Sequence, residues 1–164
     1  MPFISQDNTG TVENANAYGT LDDFHNYFTD RGVESSDYDD ENIEAALIQA
    51  ADYIDFTFSF KFFKVSELQT TEWPRGKIGI PVAVIKASFE YAKLVLDGTE
   101  LFPSIDYDSS GQNVKSKKEK LGPIEESVTY KDDYTINTMR KYPKADKYLE
   151  AYIVSSNAVF KQRG

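Results

Sequence analysis

Asp40-Glu41-Asn42-Ile43-Glu44-Ala45-Ala46-Leu47-Ile48-Gln49-Ala50-Ala51-Asp52-Tyr53-Ile54 is the stretch on which the fold turns. Ile43, Ala46, Leu47, Ala50, Tyr53 and Ile54 recur at the three- and four-residue spacing of one helical face. The small residues in that stripe allow a second helix to approach closely. The helix is predicted to start near Asp40. The acidic run Asp37, Asp39, Asp40 and Glu41 before it suits the positive end of the helix dipole. Such a run could also attract a cation, but a solvated loop is the plainer reading. Beyond the helix, aromatics stand at Phe56, Phe58, Phe60, Phe62 and Phe63. That alternation fits either a strand or the frayed end of the helix.

The flanking segments supply partners for this helix. Thr20 can cap a helix whose third residue, Asp23, completes a variant capping box. Leu21, Phe24, Tyr27 and Phe28 share its face, and Gly32 is a stop. A third helix is predicted from Pro81, burying Val84, Ile85, Ser88, Phe89, Ala92, Val95 and Leu96, with Gly98 as its end. A last helix is read from Pro143 to Ile153, with Ala145, Tyr148, Leu149, Tyr152 and Ile153 inward. Between these, Ile124, Val128 and Tyr130 fall at even spacing after the turn Gly122-Pro123, as in a strand. Residues 113–131 therefore read as a hairpin or arm. The expected fold is mainly α: a small bundle of about four helices with an extended β-hairpin. Residues 1–17 read as an N-terminal arm, 18–154 as the helical domain and 155–164 as a polar, basic tail.

Composition narrows the function. The 164 residues fit one domain with a real core, since 40% are hydrophobic. No cysteine is present, which excludes disulfides and thiolate metal sites. The 11 Tyr and 11 Phe lean toward interfaces, although core packing accounts for many of them. Net charge is −9, the wrong sign for a generic nucleic-acid binder, which needs clustered cations to displace counterions. An acidic wall would let DNA slide past, and solubility explains the charge equally well. Residues 1–10 lack the features of a signal peptide, and no apolar run approaches membrane-spanning length. A soluble protein made in the cytoplasm, with no membrane partner, is expected.

No catalytic chemistry is apparent. Asp106, Asp108, Ser110 and Gly111 begin like a calcium loop, but its twelfth position, which needs a bidentate Glu, holds Lys117. Good turn formers explain that stretch. Gly76-Lys77 lacks the upstream glycine of a phosphate loop. His25, the single histidine, shows no nucleophile or orienting partner in the sequence. The reading is a non-enzyme with no cofactor and no metal. Lys115, Lys117, Lys118 and Lys120 form the one obvious cationic cluster. It ranks first as a grip on an acidic neighbour, second as protection of a hairpin edge, and third as a nucleic-acid contact. Trp73 and Arg75 read equally as interface anchors or as a core plug with its polar rim. Lys161 and Arg163 in the tail are further candidate contacts.

Several segments, in this order, resemble one phage family. They are Tyr18-Gly19-Thr20-Leu21 with Tyr27-Phe28 and Arg31-Gly32; Glu44 to Asp55; Trp73-Pro74-Arg75; Ile80-Pro81 with Ile85-Lys86-Ala87; and Val114-Lys115 with Lys120 to Ile124. They look like the head–tail connectors, or adaptors, of long-tailed bacteriophages, whose relatives also include DnaT-like single-stranded-DNA-binding proteins. The chain departs from the pattern in the aromatic stretch Phe56–Phe63, where a glycine-containing loop is usual, and in the extra charges Lys117 to Glu119. The resemblance implies a virion neck protein: a helical adaptor forming a ring, typically dodecameric. Its implied partners are other copies of itself, the portal protein and a tail terminator or stopper. Genomic double-stranded DNA would pass through the lumen without sequence readout. The alternative it implies is a DnaT-like accessory protein that binds single-stranded DNA.

Overall fold

The structure, a computed structural model, describes residues 2–102, the backbone of 114–120 and 125–130, and residues 141–154. Two compact units divide the chain, Met1–Leu101 with Lys141–Gly164, and Phe102–Arg140.

The first unit holds β1 (Ser5–Gln6), β2 (Ala17–Tyr18), α1 (Leu21–Thr29), α2 (Asp40–Thr57), α3 (Val82–Leu96) and α4 (Pro143–Leu149). Thr20 caps α1 as expected: its hydroxyl accepts from Asp23 N, and the Asp23 carboxylate accepts from Thr20 N, both at 3.2 Å. α2 packs along α3, and α3 along α4. The α2 stripe is buried throughout, as are Val84, Ala87, Phe89, Tyr91 and Ala92 of α3. Each large aliphatic side chain in such a core contributes about 1.5–3 kcal/mol.

Gly19, which joins β2 to the cap of α1, has φ +83°. A Cβ there would lie 2.7 Å from the Phe89 ring and 2.9 Å from Ile85, so α3 crosses where only glycine fits.

Polar links fasten α4. Tyr91 donates its hydroxyl proton to Asp146, whose other oxygen accepts from Tyr142 N at 2.9 Å. Glu90, buried in α3, accepts from Tyr27 Oη at 2.6 Å and pairs with Lys144 Nζ at 2.7 Å. Tyr53, Tyr91 and Tyr142 meet around the same spot in tilted and edge-to-face pairs, with ring centroids 4.9–6.0 Å apart. α4 is shorter than the periodicity of Pro143 to Ile153 suggests. After Leu149 the chain turns and pairs with residues 59–61: Lys61 N donates to Tyr152 O (2.9 Å) and Val154 N to Ser59 O (2.8 Å). The same pairing resolves the aromatic stretch. The helix runs to Thr57, and Phe58 is extended.

The segment read as an N-terminal arm lies against the core. β1 pairs parallel to β2, and buried Gln6 donates to Thr71 Oγ1 at 3.1 Å. In the second unit β3 (Val114–Lys120) and β4 (Glu125–Tyr130) form the expected antiparallel hairpin, with Lys117 opposite Val128, Lys118 opposite Ser127 and an irregularity between Val114 and Ser116.

Candidate nucleic-acid interface

The loop between α2 and α3 concentrates exposed apolar side chains. Phe62 is 53% and Phe63 89% exposed, and Val65, Leu68 and Ile78 of the same loop are exposed too. Within residues 58–80 the cations Lys61, Lys64, Arg75 and Lys77 face only two carboxylates, Glu67 and Glu72. The loop is thus net positive in a chain of net charge −9. Aromatic faces among cations are the elements of a stacking platform for unpaired bases.

Beneath the exposed rings the loop is tightly built. Val65 N donates to Pro74 O (3.2 Å) and Gly76 N to Phe63 O (2.8 Å). Trp73 is fully buried against Phe60 and Tyr152, with ring centroids 5.4 and 5.7 Å away. Its side chain is the core plug and has no surface to offer a partner. Arg75 is committed internally: Nε donates to Lys61 O and Phe62 O at 3.1 and 3.0 Å, and Nη1 donates to Glu72 O at 3.2 Å and to the Glu72 carboxylate. Glu72 also pairs with Lys64 Nζ at 2.9 Å.

Asp55 of α2 anchors this arrangement. It accepts from Tyr18 Oη at 2.6 Å and from Glu72 N at 3.0 Å. Burial pushes its carboxyl up to about 7, against the opposing effects of those two hydrogen bonds and of Lys64. Burial likewise raises the Tyr18 hydroxyl well above its ordinary value, and the Asp55 charge adds to the shift.

Lys115, Lys117, Lys118 and Lys120 lie on β3, and their side chains are outside the described residues, as are Lys161 and Arg163. Sequence reasoning places Phe62 and Phe63 only in an aromatic stretch and Lys77 only in a rejected phosphate loop, and it assigns none of them, nor Lys61, a binding role. The available signal was the interleaving of Phe with Lys over residues 58–64. His25 does have neighbours that its sequence context does not disclose: Nδ1 lies 2.9 Å from Ser35 Oγ and Nε2 3.6 Å from Asp40 Oδ1. Ser35 is only 3% exposed while Asp40 is at the surface, the reverse of what an accessible nucleophile requires. Among the described residues no group of three or more His, Asp and Glu is placed to hold a metal, and no helix is long and apolar enough to cross a membrane.

No curated protein and no solved structure matches the chain. A family model described as "Putative DnaT-like ssDNA binding protein" matches residues 1–164. The match carries the DnaT-like side of the resemblance noted above, and the chain belongs to this DnaT-like family.

Proposed function

We propose that the chain binds single-stranded DNA without catalysing a reaction, and that the Phe62–Phe63 loop is the binding face. The observation that carries this reading is the exposure of two adjacent phenylalanines beside Lys61, Lys64 and Lys77, in a chain of the DnaT-like family. A base stacked on an aromatic side chain contributes roughly 1–3 kcal/mol, whatever the base, because every base has a π-face. The lysines supply phosphate contacts, while the acidic balance of the chain disfavours non-specific attachment of the backbone elsewhere. Anisotropy of a labelled oligothymidylate of about 20 nucleotides, longer than the usual 4–16 nucleotide footprint, tests the reading. Binding that weakens steeply with salt and with Phe63→Ala is expected. An oligonucleotide left unbound even at low salt removes it.

A second reading, the head–tail connector, is favoured by two other observations: the net charge of −9, and a hairpin that forms a compact unit of its own. On this reading copies join head to tail into a ring in the virion neck, between portal and tail terminator or stopper. The Lys115–Lys120 strand would grip an acidic neighbour, Phe62 and Phe63 would be covered between copies, and double-stranded DNA would pass through the lumen. Sedimentation with and without portal protein tests it. A strict monomer with no affinity for portal counts against it.

A further inference from the structure

Arg75, read from the sequence as an interface anchor or a polar rim, has a geometry that fits poorly with touching DNA. Its side chain is only 12% exposed. The guanidinium donates to two consecutive carbonyls, Lys61 O and Phe62 O, and to Glu72, and Nη2 lies 3.5 Å from Phe60 O. A guanidinium has five N–H donors in a fixed fork, and here the fork is turned into the protein. What it holds is unusual: Phe62 has φ +67°, a left-handed conformation that a bulky side chain adopts only when its surroundings impose it. Arg75 gathers the carbonyls on the chain leading into and through that residue. Gly76 N closes the turn from the other side by donating to Phe63 O at 2.8 Å. Glu72, which orients the guanidinium, is itself tied to α2 through Asp55.

We propose that Arg75 is a positioning residue: it clasps residues 60–62 so that the Phe62 and Phe63 rings face outward, and it makes no phosphate contact itself. Its consequence for binding rests on the single-stranded-DNA reading above. The clasp stands or falls on geometry alone.

Arg75→Lys keeps the charge but replaces the fork with a point donor that cannot reach several carbonyls at once. The oligothymidylate should bind roughly tenfold more weakly through lost stacking. In Arg75→Gln, which removes the charge, the slope of log K against log salt should stay unchanged, whereas loss of a phosphate contact lowers it by about one. Hydrogen exchange of the Gly76 amide, measured without DNA, should accelerate while the amides of α2 and α3 keep their protection. Glu72→Gln provides a second variant, milder because it removes only the charge that orients the fork, and the Gly76 amide should accelerate less.

A Gly76 amide as protected in Arg75→Lys and Glu72→Gln as in the wild type overturns the proposal, as does a salt slope reduced by about one in Arg75→Gln. If the wild-type chain binds no oligonucleotide but the Gly76 amide responds as stated, the clasp is upheld and the DNA reading falls.

Discussion

Tyr18 and Asp55 meet over 2.6 Å, the phenol donating to the carboxylate, and the same phenol oxygen accepts Trp73 N–H at 3.1 Å. One hydroxyl thereby joins β2, α2 and the loop that carries the exposed phenylalanines. Residues 18, 55 and 73 are far apart in sequence, and the Tyr18 and Trp73 side chains are fully buried.

Stability should fall as pH rises toward neutrality, in the part of the profile that Asp55 controls. Its folded-state value, about 7, lies above the ordinary 3.8, so the native state keeps a proton that the unfolded chain releases. The stabilisation is full below about pH 4 and is lost as pH rises through 7, a change of up to a few kcal/mol. Asp55→Asn should flatten the profile between pH 4 and 8. It should also cost about 1–3 kcal/mol where the new amide faces Glu72 N. Urea unfolding at several pH values, compared between the two proteins, checks this.

Trp73→Ala should cost about 3–5 kcal/mol and Trp73→Phe less, because a fully buried ring leaves a cavity that its neighbours only partly fill. Chemical denaturation measures both. A substitution that proved harmless to stability but lethal to binding would contradict the burial described here.

Gly19→Ala should destabilise by about 2–4 kcal/mol, combining overlap with Phe89 and Ile85 and the left-handed backbone. Gly32→Ala is the control. Its φ is +66°, yet nothing lies within 4 Å, so only the backbone cost of about 1 kcal/mol remains. Thermal melts of the pair separate packing from conformation.

Tyr91→Phe should loosen α4 by about 1–3 kcal/mol, since it leaves the Asp146 carboxylate short of a donor. Lys144→Ala should cost no more than about 1 kcal/mol, because the lysine is largely exposed. Amide exchange within α4 should rise sharply in the first variant and little in the second.

Phe63→Ala should leave stability within about 0.5 kcal/mol, as expected for an exposed position. It should weaken oligonucleotide binding by roughly 1–3 kcal/mol. Equal loss of both would place Phe63 in the fold rather than at the surface.

The sequence by itself determined what depends on near neighbours along the chain. The Thr20–Asp23 cap, the stripe from Ile43 to Ile54, the start of α3 after Pro81 and the hairpin in 113–131 are all set by spacing and by residues a few positions apart. Tertiary structure decided the rest, where the deciding partner is distant. The backbone pairing of 59–61 with 152–154 ends α4 at Leu149 and makes Phe58 extended, although the sequence spacing allows both to continue as helix. Trp73 reads as core or interface with equal force until Phe60 and Tyr152 are seen around it. Arg75 reads equally as an interface anchor or as a polar rim until its fork is found on the carbonyls of Lys61 and Phe62. Periodicity tells which side of an element is apolar. It does not tell which remote group will satisfy a buried donor, because that choice is made by chain segments that meet only after folding.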